Sequence, residues 1–281
     1  MKLIKPSYEI IPQAPRLEGI YKQIELAGRV CYKSEDKITE DSAKNFTDRM
    51  VKSGHLAMCE HGTVYLYIAV DSPRLDKEYI KKMNIITFYN LNKYSKVKIR
   101  VSKTDTWSYY YITTNYRVII ENNKNFDLQY LCEPTEYHEK RVTVKFNHDI
   151  GCGREILRHR AASFANESTR YCNYIKDKFG NEITCLIPHF IKEENELEFE
   201  EDLSIMENIY FKWIKKGYKA QDARGFLPLF TKSELVVTAF VSDWKYFFDL
   251  RTDIAKTGKP HPDLLQVTNP LYEEFINLKL I

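Results

Sequence analysis

The sequence predicts an α+β fold, on three observations. Short β-branched and aromatic runs, TVYLYIAV at 63–70 and ELVVTAFV at 234–241, read as buried strands. Segments with apolar residues three and four apart, at 17–32 and 201–217, read as amphipathic helices that flank such a sheet. Between 72 and 140 the composition turns to Tyr, Asn and Lys, and KVKIRV and WSYYYITTNYRVIIE alternate as hairpin arms do, which predicts a β-rich insertion.

The 281 residues suffice for one elaborated domain spanning 1–281 with that insertion at about 72–140. MKLIKPSYEII opens it as a strand, and a helix follows Pro15 with Ile20, Ile24, Leu26 and Val30 inward. DSAKNFTDRMVKSG predicts a second helix, capped by Asp41 or Ser42 and stopped at Gly54. KRVTVKF is read with the hairpin arms. Asp149 is placed to cap a short helix over IGCGREILRH, with Glu155, Arg158 and His159 on one face. The helix at 201–217 is expected to bury Leu203, Met206, Ile209, Trp213 and Ile214. SDWKYFFDLRTDI reads as a helix with Ser242 as cap, Asp243 in its first turn and Trp244, Phe247 and Phe248 inward, so Arg251 ends an anchored helix.

Composition excludes several classes of function. Lys plus Arg number 42 against 39 Asp plus Glu, too small an excess for a general polyanion-binding surface, so any anion site is local. No apolar run approaches the roughly 18 residues of a membrane span. Cys31, Cys59, Cys132, Cys152, Cys172 and Cys185 form no CxxC or zinc-finger spacing, and no signal-peptide pattern opens the sequence, which together predict a reduced, cytoplasmic setting. GCGREI begins like a dinucleotide fingerprint but carries Ile156 at the third glycine position. Walker A, HExxH, EF-hand and GxSxG patterns are absent, and His55 with His61 makes a poor zinc pair, so no metal site is expected.

Local cation density is concentrated in REILRHRAASFANESTRY, which holds Arg154, Arg158, Arg160 and Arg170 together with Ser163 and Ser168. Guanidinium groups pair bidentately with phosphate and stack on rings, so a nucleotide is one reading. The other is a solvated helix face whose arginines pair with Glu155 and Glu167. Order separates them, because Arg158-His159-Arg160, seven residues and then Ser168 is not a pattern that a solvated face requires.

That RHRx7S pattern resembles the signature of the flavin-dependent thymidylate synthases (the ThyX family). Glu60-His61 before a strand, Arg224 before Leu227-Pro228-Leu229, and the strand-to-helix segment ending at Arg251 are similar to further blocks of that family, in the same order. The resemblance implies a mixed sheet with flanking helices and a homotetramer with sites shared between subunits. It implies reductive methylation of dUMP, with methylenetetrahydrofolate as carbon donor and FAD reduced by NADPH. Arg251 would favour the N3-deprotonated uracil, whose C5 is then the better nucleophile. Ser168, Arg170 and Arg224 would hold the phosphate, assisted by backbone N–H groups from Glu167 to Thr169, while Glu155, Arg158 and Asn166 flank sugar and base. His61, Thr63, Arg158, His159, Arg160, Asn166 and Tyr246 would contact FAD. Phe240 stands where many members carry an asparagine near the flavin, and Tyr246 where a polar contact is common. Two rivals are a non-catalytic flavin- or nucleotide-binding relative and a nucleic-acid-binding module built on Tyr109, Tyr110 and Tyr111. No membrane or nucleic-acid partner is expected.

Overall fold

Pro6 divides the opening strand into β1 (Lys2–Ile4) and β2 (Ser7–Ile11), because proline cannot donate to a ladder. There follow α1 (Arg16–Tyr32), α2 (Ser42–Lys52), β3 (Thr63–Asp71), α3 (Lys77–Leu91), β4 (Lys96–Val101), β5 (Trp107–Asn115) and α4 (Tyr116–Glu121). The second half comprises β6 (Arg141–Asp149), α5 (Ile150–Ile156), β7 (Ser163–Asn166), β8 (Thr184–Leu186), α6 (Glu196–Lys215), α7 (Ala220–Ala223), β9 (Lys232–Phe240), α8 (Val241–Arg251) and α9 (Pro262–Asn277). The computed structural model describes residues 1–71, 76–256 and 258–281; positions 72–75, the first of the expected insertion, lie outside it.

The site is carried by a four-stranded antiparallel sheet in the order β2-β6-β9-β7. Its register sets Thr143 opposite Thr238 and Val144 opposite Val237, so alternate residues of each strand face opposite layers. Val142, Val144, Phe146, Leu235, Val237 and Ala239 form one core with Trp244, Phe247 and Phe248 of α8 and Leu264, Val267, Leu271 and Phe275 of α9. On the other face Ala165 and Val236 pack on Ala27 and Val30 of α1. A 3-10 turn, Leu56–His61, covers the same face. His61 is fully buried there, with Nδ1 2.9 Å from the Thr238 hydroxyl, which in turn lies 2.8 Å from that of Thr143.

β3, β4 and β5 form a smaller sheet in the order β3-β5-β4, with α3 against one face. The expected β-rich insertion therefore contains a helix of 15 residues, and its strands β4 and β5 extend a sheet that begins with β3, which precedes it. In α3 Asp76 caps the Tyr79 N–H at 2.8 Å and Ile85, Ile86 and Tyr89 are buried at helical spacing. WSYYYITTNYRVIIE, read as one hairpin arm, is strand only to Asn115, whose side chain then caps α4 by accepting from Val118 N–H at 3.1 Å. KRVTVKF belongs to the main sheet as β6, paired with β2 and β9. Tyr109, Tyr110 and Tyr111 do not form an open platform. Tyr110 turns to the α3 side, Tyr111 is buried against Tyr137, and Tyr109 lies flat on Tyr67.

Three local expectations shift. Ser242 is not the cap of α8: Phe240 occupies that position, and the Ser242 hydroxyl accepts from the Lys96 ammonium. Asp41 occupies the cap position of α2 without a side-chain bond, while the Ser42 hydroxyl accepts from Thr39 N–H at 2.9 Å and donates to Glu25 at 2.7 Å. In α6 the buried stripe is Phe199, Leu203, Glu207 and Tyr210, and Met206 and Ile209 face outward. Glu207 is inside because its carboxylate receives the Ile183 N–H at 2.6 Å and the N-terminal ammonium at 3.3 Å. Gly54 and Gly217 stop α2 and α6 as expected, both at positive φ (73° and 92°). Asp149 caps α5 as expected, accepting from Cys152 N–H at 2.8 Å. Among the described residues no helix is long and apolar enough to cross a membrane.

Two stability outcomes follow. Phe248→Ala, which empties a site against Trp244, Tyr272 and Phe275, should cost about 3–5 kcal/mol in urea unfolding, whereas Leu91→Ala, at a side chain 79% exposed, should stay within about 0.5 kcal/mol. Burial, then the charge of Arg141, pushes the His61 ring down to about 3. The unfolded chain therefore binds a proton that the folded chain refuses, so the His61 contribution is complete above the ordinary histidine value of 6.5 and is lost as pH falls from there toward 3. The urea midpoint should fall between about pH 7 and pH 5 and fall less in His61→Asn; equal slopes would exclude His61 as a source.

Candidate active site

The end of α5 and the last turn of α8 bring the first group of side chains together. Asp149 fixes the start of α5, and Gly153 lets it close on β6, since a Cβ there would stand 2.3 Å from the His148 ring. The GxG of GCGREI is thus a packing device. One helical turn on, Glu155 and His159 face the end of α8. Arg251 donates through Nη1 to Glu155 Oε2 at 2.9 Å and through Nε to His159 Nε2 at 3.0 Å. As the last residue of α8 it also lies where the helix favours a cation.

His159 is held neutral. Burial, then the charges of Arg251 and Arg158, push its ring down to about 4. Phe247 meets it edge-on with ring centroids 4.8 Å apart, and Tyr246 at 6.2 Å. Beside this contact lies a cavity of about 290 Å³ whose wall includes Arg158, His159, Arg160, Phe164, Asp243 and Tyr246. Asp243, which sequence reasoning assigned only to the helix start, is half-buried in that wall, and burial raises its carboxyl. Its position three residues before Tyr246 on α8 was the available signal.

A second group surrounds Ser168. Its N–H donates to Cys31 carbonyl at 3.0 Å, and its own carbonyl receives the N–H groups of Tyr171 and Cys172, both at 3.0 Å. This tight turn leaves Ser168 and Thr169 half-buried and Arg170 exposed, its guanidinium 5.6 Å from the Tyr171 ring. Two of the backbone donors expected for a phosphate are already committed, because Glu167 N–H donates to Glu234 carbonyl at 2.8 Å and Ser168 N–H to Cys31. Glu167 itself points inward. Its buried carboxylate accepts from Glu234 N–H at 3.2 Å and Lys232 Nζ at 3.4 Å. Asn166 is exposed at the end of β7, with its carbonyl oxygen 3.1 Å from the Ser233 hydroxyl.

Other expected residues lie apart. His61 and Thr63 are buried on the opposite face of the main sheet and do not line the Arg158–Tyr246 cavity. Thr63 lines a different cavity of about 370 Å³, with Gln13, Tyr65, Cys132 and Arg141. Arg141, unforeseen from sequence, is a clamp at that joint. Its guanidinium donates to Glu60 carbonyl at 2.9 Å and to the Thr63 and Ser163 hydroxyls at 3.3 Å, and burial pushes it down to about 10. Arg224 is exposed in a 3-10 turn after α7, and no hydrogen bond or ion pair joins it to the Ser168 turn among the described residues.

The ion pairs bear on one of the two readings of the arginine-rich segment. Glu155 is committed to Arg251 and Glu167 to Lys232. Arg154, Arg158, Arg160 and Arg170 therefore do not make the ion pairs to Glu155 and Glu167 that the solvated-face reading expects, among the described residues.

Residues 135–276 match the family model described as thymidylate synthase complementing protein. The chain is 35% identical over 103 residues to the flavin-dependent thymidylate synthase of Pyrococcus furiosus, and 35% identical over 102 residues to that of Pyrococcus abyssi. In each case the aligned stretch is 36% of this chain and 41% of the relative. A solved structure of the UMP/dUMP methylase PolB from Streptomyces cacaoi, bound with 5-Br dUMP, matches 99% of this chain and 93% of its own at 15% identity, with a TM-score of 0.46, too loose a likeness to argue from. The matched family region takes in Glu155, Arg158–Arg160, Asn166–Arg170, Arg224, Tyr246 and Arg251, and leaves out Glu60, His61 and Thr63. With half of its length matched, and with the arginine-rich segment and both distal arginines inside that half, the chain belongs to the thymidylate synthase complementing protein family.

Proposed function

We propose that the chain is a flavin-dependent thymidylate synthase that methylates dUMP to dTMP, with methylenetetrahydrofolate as carbon donor and NADPH as reductant. The observation that carries this reading is Arg251, anchored between Glu155 and His159, the latter lining a cavity edged by Arg158 and Arg160, which have no ion-pair partner among the described residues. A cation fixed before the reaction stabilises negative charge that develops on a pyrimidine without reorganisation during the step. Arg251 is assigned to the uracil ring, favouring its N3-deprotonated form. Ser168 and Arg170, with Arg224, are assigned to the phosphate, and Glu155, Arg158, Asn166 and Thr169 to sugar, base and turn. The inward-facing Glu167 serves by holding that turn, its carboxylate tied to Lys232 and Glu234 N–H.

FAD fits the residues present. The cavity offers unpaired guanidinium groups, a neutral imidazole and the flat faces of Tyr246 and Phe247, which suit a planar heterocycle with oxygen acceptors. When bound, FAD supplies the electrons for the reduction. Arg158, His159, Arg160 and Tyr246 would hold it on this chain. Thr63 lines another cavity, so a flavin that also touches Thr63 or His61 has to reach across to another copy. A homotetramer with shared sites, in a cytoplasmic setting, accords with that separation.

The test is a flavin absorbance band in the purified protein, followed by release of tritium from C5 of dUMP that requires NADPH and methylenetetrahydrofolate. Release is expected. Flavin binding without release would instead leave the non-catalytic relative, and no flavin binding would remove both. Arg251→Ala should lower turnover by about a hundredfold or more with FAD still binding. Ser168→Ala should weaken dUMP binding more than FAD binding, and the reverse order would reject its phosphate role.

A further inference from the structure

The contact between α8 and His159 fixes more than a distance. An arginine Nε–H can only donate, so the nitrogen 3.0 Å away, His159 Nε2, must present its lone pair. An imidazole with a free lone pair on Nε2 is neutral and carries its one ring proton on Nδ1. Arg251 is itself held from the other side by Glu155, so the donor cannot rotate away without breaking an ion pair. His159 Nδ1 has no acceptor among the described residues, and the ring lines the cavity, packed edge-on by Phe247.

We propose that His159, locked by Arg251 as its Nδ1–H tautomer, is a specificity-determining donor that selects a neutral acceptor in the cavity: a carbonyl oxygen or an unprotonated ring nitrogen of a planar heterocycle. A ligand that presents an N–H at that point leaves two donors facing each other and is rejected. Asp243 in the same wall supplies an acceptor, so the cavity accommodates a ring edge on which an N–H lies next to carbonyl oxygens. Uracil and isoalloxazine share that edge. The proposal deepens the synthase reading in naming those rings and rests on it there, whereas the tautomer itself stands on the geometry alone. Arg251 is thereby a positioning residue for His159 in addition to its assignment on the pyrimidine.

Two measurements on the full chain test this. Nitrogen-15 NMR of histidine-labelled protein without ligand, with the His159 signals identified by their loss in His159→Gln, should show a protonated Nδ1 and an unprotonated Nε2; the opposite tautomer or an imidazolium would overturn the proposal. Titration of wild type, His159→Asn and His159→Gln with FAD and, separately, with dUMP supplies the second. Asparagine places its amide nitrogen near the position of Nδ1 and glutamine near that of Nε2. His159→Asn should therefore keep most of the affinity while His159→Gln loses about tenfold. The ligand that shows the loss is the one whose ring occupies the cavity. Equal affinity of the two variants for both ligands would overturn the selection. Should wild type bind no FAD, the synthase reading fails, while the NMR result still decides the tautomer.

Discussion

A guanidinium group at the end of α8 is the constraint on which the site depends. In the proposed role on a pyrimidine Arg251 has to be ionised and oriented. The fold meets these needs with one carboxylate and one neutral ring, Glu155 and His159, both from the single turn after β6. Each of the supports traces to packing. Trp244, Phe247 and Phe248 pin α8 on the main sheet, Asp149 caps α5, and Gly153 allows α5 to sit against His148.

Charge is handled in two contrasting ways on either side of the main sheet. On one side Glu167 and Glu234 are buried among Lys33, Lys145 and Lys232, and against the upward push of burial Lys232 and Lys33 hold the Glu234 carboxylate down to about 2. That network is internally compensated and orients the turn at Ser168. On the other side Arg158 and Arg160 flank a cavity and have no ion-pair partner among the described residues. A paired cluster builds structure, and an unpaired one at a cavity is free to meet an anionic or acceptor-rich ligand.

Sequence reasoning reached the parts of the site whose chemistry is tied to residue type and order. The anchored helix ending at Arg251 and the turn that sets Glu155 and His159 against it were legible from residue type and spacing, whereas Arg224, expected with the Ser168 turn, lies apart from it among the described residues. What escaped it depends on tertiary context. Glu167 looks like any polar residue of a binding loop until β9 supplies Lys232 and Glu234 to draw it inward. Arg141 begins an alternating strand, and only the turn at Glu60 shows that its guanidinium is clamped inside. The helix α3 lay inside a segment read only as β-rich by its composition, and the stripe of α6 moved because Glu207 found buried donors. Asp243 was read as a helix-start charge because the cavity wall is formed by a different segment, 156–164.

The most direct test of this account is a crystal structure of the chain with FAD and dUMP bound. The account requires the isoalloxazine or the pyrimidine in the cavity beside His159 and Tyr246, the nucleotide phosphate on Ser168 and Arg170, and Arg251 within hydrogen-bond distance of the uracil. Both ligands seated elsewhere, with the Arg158–Arg160 cavity filled only by solvent, would contradict it.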